Sequence, residues 1–213
     1  MAGEQEARAR MVDETVAARG VGDPRVLAAM RKVERHRFVP ASQLARAYAD
    51  AALPIGHDAT ISQPYVVALM TELAALKAGD RALEIGTGSG YQAAVLAELG
   101  AEVFSIERVG ALAERARECL REAGYASVRV RHGDGYVGWP EQAPFQAIVL
   151  TAAPPELPRA LLDQLALGGR LIAPVGEGRV QSLIVVVRGE HGPIEKQVCD
   201  VMFVPMLPGL REA

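Results

Sequence analysis

Apolar residues recur along this chain with two different periods, and the change falls near residue 80. From residue 4 to about 50, where Ala, Arg and Glu dominate, the spacing predicts two or three helices. One covers Glu4–Arg19, a second is opened by Asp23-Pro24 and runs to about Arg35, and a short one lies near Ser42–Tyr48. Asp23 is a good N-cap and Pro24 a good first helical residue. The segment ALPIGHDATISQP (52–64) is dense in turn formers and reads as a loop. Pro64 then opens a helical run, YVVALMTELAAL, which stops at Ala78-Gly79-Asp80.

Beyond residue 80, short apolar runs with strand character alternate with helical stretches. The strands are ALEI (82–85), VFSI (103–106), VRV (128–130), AIVL (147–150) and RLIAPV (170–175), and the helices Tyr91–Leu99, Gly110–Ala123 and Leu157–Leu167. That alternation predicts right-handed βαβ crossovers and a mainly parallel sheet. QSLIVVVR (181–188), the turn GEHGP and IEKQVCDVMFV (194–204) break the rhythm and predict an antiparallel hairpin at one edge. The expected fold is a Rossmann-like α/β domain with an N-terminal helical addition.

The richest stretch is ALEIGTGSG (82–90), a buried strand ending in a glycine turn before a helix at about Tyr91. Glycines let the chain turn tightly and let a ligand approach the main chain. The spacing is GxGxG, and Glu84 precedes Gly86 by two positions. A carboxylate there would crowd a pyrophosphate, which argues against a nicotinamide dinucleotide; it would favour a cation, such as the amino-acid moiety or sulfonium of S-adenosylmethionine. Glu107 ends the second strand 21 positions after Gly86, where an acidic side chain meets ribose hydroxyls in such folds. Asp134, in His132-Gly133-Asp134-Gly135, follows the third strand and would accept from an adenine amino group. Three acidic residues at the ends of successive strands point to an adenosyl ligand.

Composition narrows the classes. Half of the 213 residues are hydrophobic, so the chain can bury a sizeable core. No apolar run approaches the roughly 18 to 20 residues of a bilayer-crossing helix. Lys plus Arg number 23 against 26 Asp plus Glu, a net charge of −3, which disfavours nucleic acid as a partner. Cys119 and Cys199 lack CxxC spacing and suggest a reducing compartment with neither disulfide nor zinc. The charged N-terminus has no apolar core of a secretory signal, and a cytoplasmic location is expected. His36, His57, His132 and His191 lack metal-ligand spacing, so no metal is expected. On spacing alone, Ser62 reads as a cap for the helix opened by Pro64, Met202 and Met206 as core filler, and Pro154-Pro155 as a loop former.

Taken together, ATISQP, RALEIGTGSGYQ, VFSIER, VRHGDGYVGWP, QAIVLTAAPPELP and GGRLIAPVGE resemble the protein-L-isoaspartate O-methyltransferases, from about residue 25 to 207. The glycine loop alone indicates a class I methyltransferase; ATISQP followed by HGDG and TAAPPE is specific to the family. The resemblance implies a seven-stranded methyltransferase sheet with an altered order of the last two strands. It divides the chain into a helical segment and substrate loop, 1–60, packed on the methyltransferase domain, 61–213. It implies S-adenosyl-L-methionine as cofactor, held by Glu84, Gly86, Thr87 and Gly88, with Glu107 on the ribose and Gly133-Asp134 near the adenine. Ser62 matches the family's active-site serine, and Thr60, Ile61, Ser62 and Val204 match segments that embrace the substrate. The implied substrates are isoaspartyl-containing proteins and peptides, methylated on the α-carboxylate to start repair through a succinimide, by a monomer that binds neither nucleic acid nor membrane. Tyr65 departs from the His found here in some members.

Overall fold

A computed structural model describes residues 2–212. Its centre is a seven-stranded sheet of β3 (Arg81–Ile85), β4 (Glu102–Glu107), β5 (Arg129–His132), β6 (Phe145–Leu150), β7 (Leu165–Val175), β8 (Gln181–Gly189) and β9 (Gly192–Val201). The spatial order is β5-β4-β3-β6-β7-β8-β9. The first five of these pair in parallel; β8 runs antiparallel to β7 and β9 antiparallel to β8. The sheet is thus the mainly parallel one expected, closed by the C-terminal hairpin, whose two strands follow β7 in chain order.

Successive residues of the central strands face opposite layers. Ala82, Val103, Ala147, Val149 and Ile172 pack under α3 (Pro64–Ala74), α4 (Tyr91–Glu98), α5 (Gly110–Glu122) and the N-terminal helices. Leu83, Ile85, Phe104, Ile106, Ile148 and Leu150 face the other side, covered by Trp139, Leu161 of the short α6 (Arg159–Asp163) and Met206. Burial on both faces explains why these strands read as continuous apolar runs.

The N-terminal helix α1 (Ala2–Arg10) continues through a π turn and a 3-10 turn to Arg19, filling the expected Glu4–Arg19 stretch. The next helix, α2 (Pro24–Lys32), is capped as expected, with the Asp23 carboxylate accepting the Arg25 N–H at 2.8 Å. It ends three residues before Arg35, which opens a separate 3-10 turn, Arg35–Phe38. Residues 41–46 form a 3-10 turn as well.

Two expectations are corrected. The segment read as a loop holds a hairpin, β1 (Leu53–Gly56) with β2 (Ala59–Ile61), and Leu53, Ile55 and Ile61 are buried. Gly56, His57 and Asp58 all have positive φ, as a tight hairpin turn demands. Strands this short carry too little alternation to stand out among turn formers. The helix expected over Leu157–Leu167 spans only Arg159–Asp163, because Leu165 already pairs with Phe145 as β7 begins. Pro158 is its N-cap, and the start of β7 at Leu165 ends it.

Candidate active site

The C-terminal ends of β3, β4 and β6 converge on the glycine loop. Gly86 and Gly88 have φ of 98° and 52°, and a Cβ on Gly86 would collide with the Thr151 hydroxyl. The loop is pinned to its neighbours: the Gly86 and Thr87 N–H groups donate to Ile106 O, and Glu107 accepts the Gly88 N–H at 2.8 Å and the Val109 N–H at 3.0 Å. Thr151, the first residue after β6, donates its N–H to Ile85 O at 2.9 Å, while its hydroxyl reaches the carbonyls of Ile85 and Gly86.

Three hollows meet here. A cleft of about 190 Å³ has apolar walls of Ile85, Ile106, Val109, Leu112 and Met206, with Gly86, Gly88 and Glu107 at one side. A groove of about 780 Å³ runs outward past Ser62, Tyr65, Arg19, Val180 and Met202. Between them lies a cavity of about 20 Å³ bounded by Ser62, Glu84, Thr87 and Gln92. Thr60 and Thr151 line all three, and Val204 lines both the cleft and the groove.

Most of the residues singled out from the sequence therefore gather at one place. Thr60, Gly86, Gly88, Glu107 and Val204 line the cleft, and Ile61, Ser62, Glu84 and Thr87 the small cavity beside it. Gly133 and Asp134 are not among the cleft-lining residues; Gly135, next in the chain, is. The two Asp134 oxygens accept the N–H groups of Tyr136 at 2.9 Å and Gly209 at 2.8 Å. Ser62 does not cap α3, whose N-cap is Gln63 without a side-chain hydrogen bond. Met206 is buried in the core as expected, whereas Met202 is 66% exposed and belongs to the groove.

Glu84 is wholly buried beneath the loop. One carboxylate oxygen accepts from Ser105 Oγ, which also meets Thr87 Oγ1 at 2.6 Å, and the other has no partner. Burial, with Glu107 nearby, pushes its pKa up to about 8.

Spacing alone did not reveal two groups of residues. Thr151 occupies the same kind of position, at a strand's C-terminal end, that drew attention to Glu107, and that rule would have found it. The C-terminal segment 202–211 crosses the ends of the strands as a strap. Ala153 exchanges hydrogen bonds with Val204 and Met206 at 2.8 and 2.7 Å, and Arg211 does so with Arg108 and Gly110 at 2.8 and 2.9 Å. Tyr136 Oη donates to Met206 O at 3.1 Å. Met202, Phe203 and Val204, expected in the edge hairpin, lie beyond β9, which ends at Val201, and belong to the strap; the rest of it has no strand periodicity to announce it.

A walled apolar cleft with a carboxylate at its rim suits a nucleoside, and the glycine cradle leaves room for a chain of atoms leading from it towards the groove. The chain is similar to a family of which one solved member holds such a ligand. The family model for protein-L-isoaspartate(D-aspartate) O-methyltransferase (PCMT) matches residues 6–210. A protein-L-isoaspartate O-methyltransferase of Gloeobacter violaceus is 57% identical over 197 residues, covering 92% of this chain and 96% of its own. That of Halorhodospira halophila is 55% identical over 207 residues, covering 96% and 93%. The crystal structure of a Plasmodium falciparum member in complex with S-adenosyl-L-homocysteine superposes with a TM-score of 0.83 at 28% identity, covering 94% of this chain and 98% of that one. By the extent of these matches, the chain belongs to the protein-L-isoaspartate(D-aspartate) O-methyltransferase family.

Proposed function

We propose that this protein transfers the methyl group of S-adenosylmethionine to the α-carboxylate of L-isoaspartyl residues in damaged proteins and peptides. The observation that carries this reading is the junction of the nucleoside-sized cleft with an open groove at Thr60, Thr151 and Val204, beside Ser62. The residues present fit the cofactor. Gly86 and Gly88 form a cradle that side chains would fill, and Glu84, which lines the small cavity beside it, keeps one oxygen unpartnered that a cation would satisfy.

When bound, S-adenosylmethionine supplies an electrophilic methyl carbon on a sulfonium. A substrate carboxylate oxygen would take that methyl carbon, the C–S bond breaking as the C–O bond forms and its electron pair staying on sulfur. A carboxylate of pKa about 4 is already ionised at neutral pH, so no general base is needed. The methyl ester then closes to the succinimide without further help from the protein. Positioning and exclusion of water are the work left to the chain. Ser62 donates to one carboxylate oxygen while the other reacts. Thr60, Ile61 and Val204 would flank the reacting residue and Glu107 would hold the ribose hydroxyls, while Gly133-Asp134, whose carboxylate is held by Tyr136 and Gly209, would sit towards the adenine end.

Residues 1–60 serve as helical segment and substrate loop packed on the domain formed by 61–213. The shared core, in which Met11, Val16 and Phe38 join Val67 and Leu96, supports that packing. Among the described residues no helix is long and apolar enough to cross a membrane. A cytoplasmic monomer acting on proteins and peptides is the accompanying reading.

Tritium transfer from labelled S-adenosylmethionine to matched peptides carrying L-isoaspartate or L-aspartate tests the proposal. Base-labile label on the isoaspartyl peptide alone is expected. Cofactor binding without label on either peptide would overturn the substrate assignment and leave the adenosyl site standing.

A further inference from the structure

Arg35 is 0% exposed, yet it has no carboxylate ion-pair partner among the described residues. Its Nη2 donates to Ser62 O at 2.8 Å and, at 3.5 Å, to Ala51 O; Nε donates to Ala47 O at 2.9 Å. Nη1 is buried without a hydrogen-bond partner, and the guanidinium carbon stands 4.8 Å from the centre of the Tyr91 ring. Ala51 and Ser62 both line the groove, so Arg35 grips two of its walls from the buried side. Burial lowers its pKa to about 10, which leaves it charged at neutral pH.

Three carbonyls can be held by a neutral donor set. A buried charge is expensive unless an anion compensates it; the Asp50 carboxylate acts on Arg35 only from beyond ion-pair distance, and is itself held by Arg19 at 3.0 Å and Gln63 at 2.7 Å. Given the functional reading above, on which this step rests, an anion at closer range arrives with the substrate. We propose that Arg35 is the positioning residue of the methyl-acceptor site. It fixes the main chain at Ser62 and lends a positive charge with no direct ion-pair partner to the point where the isoaspartyl carboxylate docks.

The test compares wild type, Arg35→Met and Arg35→Lys in the full chain. It measures kcat and KM for an isoaspartyl peptide, affinity for S-adenosylhomocysteine, and affinity for a peptide whose isoaspartyl α-carboxylate is replaced by a carboxamide. Arg35→Met is expected to weaken the carboxylate peptide about tenfold more than the carboxamide peptide, as loss of one partly screened charge pair would. Arg35→Lys keeps the charge without the fork. It should retain the carboxylate preference while kcat falls about tenfold, and should remain informative if the methionine variant fails to fold. Affinity for S-adenosylhomocysteine should stay within about twofold in both. Equal losses for the two peptides, or a lysine variant with wild-type kcat, would overturn the assignment. A wild type that methylates no isoaspartyl peptide would overturn the functional reading and this assignment with it.

Discussion

Glu107 accepts the Gly88 N–H through one carboxylate oxygen, so the end of β4 sets the shape of the glycine loop that follows β3. The other oxygen accepts the Val109 N–H, where α5 begins. Each oxygen keeps a second lone pair, so the side chain that builds the cradle still has acceptors to offer the ribose hydroxyls proposed for it. Glu107→Gln replaces one acceptor by a donor that faces an N–H. A penalty of roughly 1 to 3 kcal/mol on the loop is expected. Calorimetric titration with S-adenosylhomocysteine should show affinity reduced by roughly 5- to 150-fold; unchanged affinity would remove Glu107 from the ribose.

Ser62 sits on the chain between β2 and α3, at the inner end of the groove, with its main chain held by Arg35. Ser62→Ala should lower kcat/KM by roughly 5- to 150-fold, the loss of one orienting hydrogen bond of about 1 to 3 kcal/mol. Because its hydroxyl does not cap α3, thermal stability should be unaffected, and cofactor affinity should hold. Steady-state kinetics beside a melting curve separates these outcomes. A full-rate mutant would exclude the serine from the reaction.

For Asp134 the structure supplies a route that spacing did not suggest. Its oxygens tie the turn at Tyr136 to Gly209 of the strap, and the strap carries Met206 and Val204 onto the cleft. Asp134→Ala should weaken S-adenosylmethionine binding through a loosened strap. Hydrogen exchange at residues 204–211 should then rise together with the dissociation constant. Asp134→Asn, which keeps one acceptor, should show a smaller effect on both. Weakened binding with an undisturbed strap would point instead to a direct contact with the adenine.

What the sequence made legible follows from where periodicity is strong. β3, β4 and β6 are buried on both faces, β3 and β4 run between glycine turns, and each acidic residue at a strand end could be placed from β3 outward. The β1–β2 hairpin escaped because four- and three-residue strands carry almost no period, and its positive-φ His57 and Asp58 look like loop chemistry. Helix α6 was over-extended because LLDQLAL has helical spacing, whereas pairing of Leu165 with Phe145 claims its end for the sheet. Arg35 escaped for a different reason. One arginine among many in a helical, charged stretch carries no sign that it will be buried against the carbonyl of a residue 27 positions away.

Glu84 yields a prediction whose sign can be worked out. Its folded pKa, about 8, lies above the ordinary value of 4.5. Below about pH 4.5 the carboxyl is protonated folded or unfolded, and its full contribution to stability is present. Between 4.5 and about 8 the unfolded chain releases the proton while the folded chain keeps it, so stability falls as pH rises, and the loss is complete above about 8. Glu84→Gln removes this dependence while keeping an acceptor for Ser105 Oγ. Melting temperatures of the two proteins should be similar near pH 4.5 and diverge in favour of Gln up to pH 8. The same carboxyl should ionise when a cationic cofactor binds beside it. Binding of S-adenosylmethionine to wild type at pH 7 should therefore release a proton, seen as a binding enthalpy that varies with buffer ionisation enthalpy. Glu84→Gln should abolish that release. Identical pH profiles of stability for the two proteins would mean that Glu84 is ionised in the folded state and that Ser105 and the loop compensate its burial in full.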